Sequence, residues 1–448
     1  MAEPGGNSEV LAVGTVIRSE VMNQYKIVRQ LSEGGQGIVY VVEGSGGLKC
    51  FKQYKRVMLN HRPDLLAHIR KPIQKGSPDQ HCFVWPQEAV SSGGVQGYIM
   101  ELAEKPFTPL VRFTLPLSRK GVRFANSKAT VDAMLNLVSS FNVLHMTGYS
   151  YQDLSLGNFM FNPENGDLRI IDNDNVSVNG ESTGILGTPG FIAPEVLKLQ
   201  TVPNRYSDYY SLSIILFHIL FRAHPLEGVR GLVPLLTPEM EMAMYRDDPV
   251  FMFDPTDARN RPSKDLQQYI THAWEQMPPY LQGAFTMSLG KEAVLVKPQK
   301  RVDESSWEKV LIRLRNDIMT CPYCDAELVY TGRAPTVCPD CRKPLGQMFA
   351  FRTDRCKYPI PISYGSTLMS ANLRYCDTGK GNIKEIQIKR ATKDHRILVI
   401  QNVSGKRITV GKTDGQHEPL PENGLVALAN VKQIVMSDGT VVTVQPLP

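Results

Sequence analysis

No stretch of this chain reaches the roughly 18 consecutive apolar residues that a membrane-spanning helix needs. The longest candidate, SLSIILFHILF (211–221), is interrupted by His218 and reads as a buried helix instead. The amino-terminal MAEPGGNSEVLAVG lacks a basic start followed by an apolar core, so no signal peptide is expected and the expected location is cytoplasmic. No long basic run or arginine-rich arm is present, and a net charge of +6 over 448 residues is mild. Neither a membrane nor nucleic acid is therefore an expected partner. No internal repeat or low-complexity segment stands out, which leaves ordinary globular domains.

What is present agrees with that. A chain of 448 residues is too long for one ordinary core, so two to four domains are expected. An apolar fraction of 42% and a charged fraction of 21% are those of a globular protein. Of eight cysteines, Cys50, Cys82, Cys356 and Cys376 are scattered, whereas Cys321, Cys324, Cys338 and Cys341 form two CxxC pairs. In a reducing compartment that pattern favours metal over disulfides.

The first hundred residues are strand-rich. YKIVRQL (25–31), GIVYVVEG (37–44) and GLKCFKQY (47–54) are short runs separated by glycine turns, which predicts a small antiparallel meander. DLLAHIRKPI (64–73) has helical spacing, and FVWPQEAV and GYIMELAE predict two further strands. From about residue 105 helices dominate: 129–148, 207–221 and 304–319, the first ending on a glycine cap. The proline-bearing stretch 228–262 looks inserted among them. After residue 345 the pattern alternates as in half-buried strands between Gly and Asn/Asp turns, which predicts a small β-sandwich.

Chemistry enters at LSEGGQGIVY (31–40), between two predicted strands. A glycine-rich hairpin lets backbone N–H groups close over phosphates, because no Cβ blocks the approach. Gly37 is followed fifteen residues later by Lys52, which on a cleft-facing strand can hold α- and β-phosphates. Alone, a turn glycine or an edge lysine is more often structural. Downstream, Asp153 and Asn158 fit a loop supplying a base and a metal-side amide, and Asp172 follows the apolar strand LRII. These hard oxygen donors suit Mg²⁺ held between protein and phosphates. Either aspartate alone could merely cap a turn, but the ordered set argues for one site.

With these residues in place the chain resembles a protein kinase over roughly residues 14–318. LSEGGQGIVY resembles the glycine-rich loop, with Ser32 where the first glycine would be and Gly34 and Gly37 in place. Lys52 resembles the strand-three lysine. YIMELA (98–103) is similar to a gatekeeper and hinge, which makes Met100 the gatekeeper and Glu101 and Leu102 hinge residues over the adenine, with Val39 beneath it. GTPGFIAPEV (187–196) matches the end of an activation segment almost letter for letter, and SDYYSL resembles the start of a buried helix whose Asp208 bonds the catalytic-loop backbone. For the arginine that pairs with Glu195, RNRPS (259–263) has the local look, but Arg301 before the final helix is preferred.

The resemblance implies an ATP- and Mg²⁺-dependent serine/threonine kinase acting on protein substrates. Asp153 would be the base, Lys52 the phosphate-holding cation, Asn158 and Asp172 the magnesium ligands, and Thr188 a hydroxyl that bonds the base. Ser177, Ser182 and Thr183 are candidate autophosphorylation sites.

Several positions depart from the pattern. Tyr151-Gln152 stand in place of His-Arg, so no arginine is available to clamp a phosphorylated loop. Asn173-Asp174 stand in place of Phe-Gly, and Ser155 replaces the usual lysine, as in the loops of Rio-like kinases. The helix at 64–73 has no glutamate for Lys52, leaving Asp64 as the nearby acid. The alternative is therefore a nucleotide-binding pseudokinase scaffold that assembles a signalling complex.

CPYC and CPDC lie thirteen residues apart, with YTGRAPT between them as a plausible hairpin. Four thiolates close a tetrahedral Zn²⁺ site of structural type, similar to a zinc ribbon. The tail resembles a degenerate forkhead-associated-like β-domain for protein contacts. His145, His218 and Trp274 read as packing residues. The order of parts resembles bacterial kinases of tellurite-resistance-associated phosphorylation triads, which implies a von Willebrand A-type protein and a metal-dependent protein phosphatase as partners. The expected fold class is α+β, a bilobal kinase-like fold followed by a zinc ribbon and a small all-β sandwich. The divisions are 14–103, 104–318, 319–346 and 347–448.

Overall fold

The computed structural model describes residues 10–181, 187–373, 383–394 and 396–448. The glycine-punctuated runs at the start form six strands, β1 (Val16–Arg18), β2 (Gln24–Glu33), β3 (Gly37–Gly44), β4 (Gly47–Tyr54), β5 (Pro86–Ser92) and β6 (Val95–Glu101). They pair antiparallel in the order β1-β2-β3-β4-β6-β5. Between β4 and β5 the chain forms two helices, α1 (Arg56–His61) and α2 (Leu65–Lys75). Leu65, Leu66 and Ile69 of α2 are buried with Cys50, Tyr54, Tyr98 and Met100 on one face of the sheet. Ile27, Tyr40, Val42, Phe51 and Ile99 form a separate core on the other face. Because side chains alternate along a strand, Lys52 shares the α2 side with Cys50 and Tyr54.

The second lobe is helical. Its long helix Ser127–Met146 begins where the Asn126 side chain accepts from Ala129 N, a cap worth about 1 kcal/mol. Helix Arg205–Phe221 starts with an Asn204 capping box. Leu212, Ile214, Ile215, Leu216 and Phe217 along it are fully buried, as an all-round apolar helix must be. Helix Glu304–Asp317 packs with both around Phe141, Phe217, Phe285 and Trp307. The stretch 228–262 is stitched into this lobe. Met244, Tyr245, Phe251 and Met252 belong to its core, and the buried Asn260 amide donates to Leu226 O at 2.8 Å and Val250 O at 2.7 Å.

Beyond residue 317 the backbone turns to strands. Ile318–Thr320 pairs with Glu327–Val329, so the first CxxC lies in the turn of this hairpin. The second CxxC lies in a turn closed by the Val337–Pro344 bridge. The stretch 330–336, expected as the hairpin, instead runs between the two turns without strand structure. A hairpin there would have needed paired strands, and those strands flank the cysteines instead.

The last hundred residues form a six-stranded and a four-stranded sheet. One core, including Phe351, Leu368, Ile386, Ile400, Val410, Ile434 and Val442, takes side chains from both. This unit is joined to the helical lobe through Glu304–Asp317. The Arg315 guanidinium binds both oxygens of Asp132 and donates to Thr367 Oγ1 at 2.6 Å. Asn316 meets Asn372 at 3.2 Å. Among the described residues, no helix is long and apolar enough to cross a membrane.

Candidate active site at the lobe junction

The register of β3 and β4 sets Val39 opposite Lys52, and β6 sets Met100 opposite Cys50. Val39, Met100 and Leu102 all border the core beneath the sheet, while Glu101 faces outward against Lys49. Ahead of them the glycine turn is closed by Gly34 N donating to Gly37 O at 2.9 Å. A Cβ at Gly37 would lie 2.3 Å from Gln53 O, so only glycine fits there.

Lys52 is almost wholly buried and its ammonium donates to four acceptors. Asp174 Oδ2 and Oδ1 lie at 2.9 and 3.0 Å, Asp172 Oδ1 at 3.3 Å, and Gln36 Oε1 at 3.4 Å. Burial alone would favour the neutral amine, but the fields of Asp172 and Asp174 prevail and hold it protonated. Asp64, the acid at the helix 64–73, turns away to Arg62 at 3.4 Å. It sits at the start of α2 and has too short a side chain to come back. The partner of Lys52 comes from the turn after Asp172.

That turn is unusual. Asp172 sits in the left-handed region at φ +59, a conformation that costs an ordinary residue energy and is held by its surroundings. The Tyr151 hydroxyl donates to Ile171 O at 2.6 Å and to Asp172 O at 3.2 Å. Asn173, where an apolar plug was expected to be lost, is instead tied down by its amide to Val84 O at 2.9 Å and Ile170 O at 2.8 Å. Asn173, Asp174 and Asn175 are all buried, whereas the Asp172 carboxylate is 41% exposed and open to the junction.

Asp153 lies beside that turn. Thr188 Oγ1 donates to its Oδ1 at 3.3 Å and Asn175 Nδ2 to its Oδ2 at 3.2 Å. Burial raises its pKa above the usual carboxylate range; Thr188 works against this, and the nearby Asp172 and Asp174 add to it. Asn158 lies just beyond in a short turn, its Oδ1 accepting from Ser155 N at 2.8 Å and Ser155 Oγ at 2.7 Å. The loop as a whole hangs on Asp208, which accepts from Tyr151 N at 2.7 Å and Gln152 N at 3.4 Å. Gln152, at φ +71, sends its amide to Glu181 O at 2.5 Å and to the Ser177 hydroxyl. Ser177 is therefore buried in a neutral clasp; Ser182 and Thr183 lie outside the described residues.

Two supports lie behind the site, one where the sequence put it and one not. Arg301 grips both oxygens of Glu195 at 2.7 and 2.8 Å, while Arg259 of RNRPS pairs with Asp248 and Asp257. His145 is not simply a packing residue. Its Nε2 lies 2.9 Å from Asp208 and its Nδ1 contacts Glu304, so it bridges two buried carboxylates. Nothing in its sequence neighbourhood shows those acids, which come from two other helices. His218 does pack, stacked on Phe191, and Trp274 stacks on Phe253. Asp174, Asn175, Gln36 and Gln152 were absent from the sequence-derived site. The only signal was the polar run NDN after an apolar strand, and its burial is not legible from composition.

The four paired cysteines form a second centre. Cys321 and Cys341 sulfurs are 3.9 Å apart and those of Cys324 and Cys338 3.7 Å, all four within 4.8 Å of one another. These separations are far too long for a disulfide. Sulfurs about 2.3 Å from one tetrahedral ion would lie about 3.8 Å apart. The donor set and its geometry fit such an ion.

A protein kinase domain model matches residues 25–278. The chain is 28% identical over 224 residues to the probable serine/threonine-protein kinase RTK1 of Saccharomyces cerevisiae, covering 46% of this chain and 34% of that protein. It is 28% identical over 102 residues to the probable serine/threonine-protein kinase PknB of Bifidobacterium longum, covering 21% of this chain and 14% of that one. This chain spans less than half the length of the curated relatives it matches. Among solved structures, the Mycobacterium tuberculosis PknI kinase domain aligns at TM-score 0.41 and 14% identity, over 67% of this chain and 98% of that one.

Proposed function

The chain belongs to the protein kinase family, and from that premise we propose an ATP- and Mg²⁺-dependent serine/threonine kinase that phosphorylates partner proteins and itself. The observation that carries this reading is the convergence at one junction of Lys52 with Asp172 and of Asp153 with Thr188. Phosphoryl transfer asks the protein mainly for positioning and charge. Lys52, protonated and fixed, would neutralise the α- and β-phosphates. Mg²⁺, when bound, supplies further neutralisation of the phosphate chain, and the exposed carboxylate of Asp172 would hold it. Asn158 would join only after the Ser155 hydroxyl turns aside, because its oxygen now serves two Ser155 donors. Asp153 would orient the acceptor hydroxyl and take its proton; its raised proton affinity suits a base. The Thr188 contact favours serine or threonine as acceptor.

The four cysteines would hold one structural Zn²⁺, and the two sheets at the end would act as a β-sandwich for protein contacts. The resemblance to the triad kinases nominates a von Willebrand A-type protein and a metal-dependent phosphatase as substrates to try. The test is transfer from labelled ATP with Mg²⁺ to the protein itself and to these partners. Wild type should transfer, and Asp153→Asn should lose about 100-fold or more while its melting point still rises with nucleotide. Nucleotide binding by wild type with no transfer under any of these conditions would establish the scaffold instead.

A further inference from the structure

We propose that Asp174, and not an acid on the helix behind the sheet, is the positioning residue for Lys52. The lysine is then set by the same turn that carries Asp172. This deepens the kinase reading and rests on it for its catalytic consequence, though not for the pairing itself.

The pairing is geometric. Both Asp174 oxygens lie within 3.0 Å of the Lys52 ammonium, closer than Asp172 or Gln36. Asp174 is 1% exposed and Lys52 4%, so the pair lies in a water-poor interior, where opposite charges attract far more strongly than in water. The buried rings of Tyr54 and Tyr98 wall it in, with the Tyr98 ring 6.0 Å from the ammonium. Asp174 is itself locked: it is the middle residue of the buried turn Asn173–Asn175, whose first residue is tied to Val84 and Ile170.

Helix α2 offers no rival. Its sequence LLAHIRKPIQK contains no acid, and Asp64 at its start is spent on Arg62. The titratable group that α2 turns toward this place is His68, which lies near Asp174 and the Val176 backbone. An arrangement in which a helix supplies the lysine's partner comes apart when that helix swings. Here the pair joins β4 directly to the turn after the strand Leu168–Ile170, so it needs no acid from α2. Whatever moves Asp172 must move Asp174, two residues on, and with it the lysine. The cation and the expected magnesium carboxylate are thereby a single mechanical unit.

A stability cycle on the whole chain, without nucleotide, tests the pairing independently of activity. Its four corners are wild type, Lys52→Met, Asp174→Asn and the double variant. Each single change leaves a buried charge unbalanced, whereas the double removes both. The double should therefore melt no lower than the worse single variant, and a parallel cycle of Lys52→Met with Asp64→Asn should be additive. In the transfer assay, Asp174→Asn should lower kcat/KM for ATP about 100-fold and Asp64→Asn should stay within about twofold of wild type. If Asp174→Asn alone does not fold, recovery of folding by adding Lys52→Met supports the pair; failure of both to fold counts against it. Additivity between Lys52 and Asp174, or coupling between Lys52 and Asp64, would overturn the proposal. Wild type inert in transfer but coupled in the cycle would remove the catalytic role while leaving the pair.

Discussion

The lobe junction and the cysteine cluster both gather charged or ionisable groups, but they reach that state by different routes. Lys52 and Asp174 are 122 residues apart, and they meet only after a sheet, a helical lobe and a buried polar turn have each folded. The four cysteines span 21 positions, from Cys321 to Cys341, and meet through two adjacent turns over a small core of Met319, Leu328, Tyr330 and Leu345. The junction is a product of the fold, assembled by cores large enough to stand alone. The cluster has too little apolar surface to assemble itself, so the metal proposed for it would have to supply the stability. Position along the chain also differs in meaning. A substitution near the junction acts through the lobes, whereas one at a cysteine acts on its own neighbourhood first.

The hardest test of that contrast is removal of metal. Structural zinc contributes roughly 10–16 kcal/mol of apparent binding energy in isolated modules at neutral pH. Chelation, or Cys321→Ser, should therefore open residues 319–346 to proteolysis and leave nucleotide-induced stabilisation of the lobes intact. The damage should spread in one direction. Leu447 belongs to the core under the cysteines, and Ala334 N donates to Pro448 O at 2.7 Å, so the final strand should loosen too. Elemental analysis should give about one zinc per chain, since one four-thiolate set binds one ion. Four alkylatable thiols with no zinc, in protein prepared without chelator, would refute the metal reading. Loss of nucleotide binding on chelation would show that the two regions do not fold separately.

How much of each region could be read beforehand follows the same division. The cysteine pairs are legible because their meaning is local: spacing alone puts four sulfurs on two turns. Lys52, Asp153, Asn158 and Asp172 were legible because strand and turn patterns flank each one. Asp174 was not, because its significance is burial beside a lysine far away in sequence, and a polar residue after a strand ordinarily means a solvated turn. His145 misled for the same reason, since Asp208 and Glu304 come from helices 63 and 159 residues distant. The helices at 129–148, 207–221 and 304–319 were found to within about two residues because their apolar periodicity carries the signal. The expected hairpin at 330–336 failed because glycine and proline mark a turn without saying which strands it joins.

A second, smaller effect should separate the regions by pH, in opposite directions. Burial would lower the pKa of His145, but the hydrogen bonds and charges of Asp208 and Glu304 overcome it and raise the value from 6.5 to about 9. A folded-state pKa above the unfolded one stabilises fully below about pH 6.5. That contribution, of order 3 kcal/mol, is lost as pH rises through about 9. The cysteine cluster, with the proposed metal bound, should behave conversely, because protons would compete with the metal and acid would weaken it. Unfolding of the helical lobe followed between pH 6 and 9.5 should show stability declining with pH, and His145→Gln should flatten that decline. An unchanged slope in the variant would mean the bridge does not carry the proton linkage.

The smallest effect bears on whether the regions communicate at all. Arg315 is the buried bracket between the helical lobe and the carboxy-terminal sheets that follow the cysteines, holding Asp132 in the one and Thr367 in the other. Thr367→Val keeps the shape and removes the hydroxyl, so one guanidinium N–H loses its acceptor in a place water does not reach. Leaving a buried donor unmet costs about 1–3 kcal/mol, and nearly all of it should fall on the joint. Neither core loses volume, since valine replaces threonine atom for atom. In calorimetry the wild-type lobes and carboxy-terminal sheets should unfold together or nearly so. In the variant the sheets should separate to a lower temperature while the lobe transition holds. Asp132→Asn, which weakens the same bracket from the other side, should act with Thr367→Val less than additively, because both changes release the same arginine. Full additivity would mean that Arg315 is not shared, and that Asn316 with Asn372 and the packing of Met369 hold the joint instead.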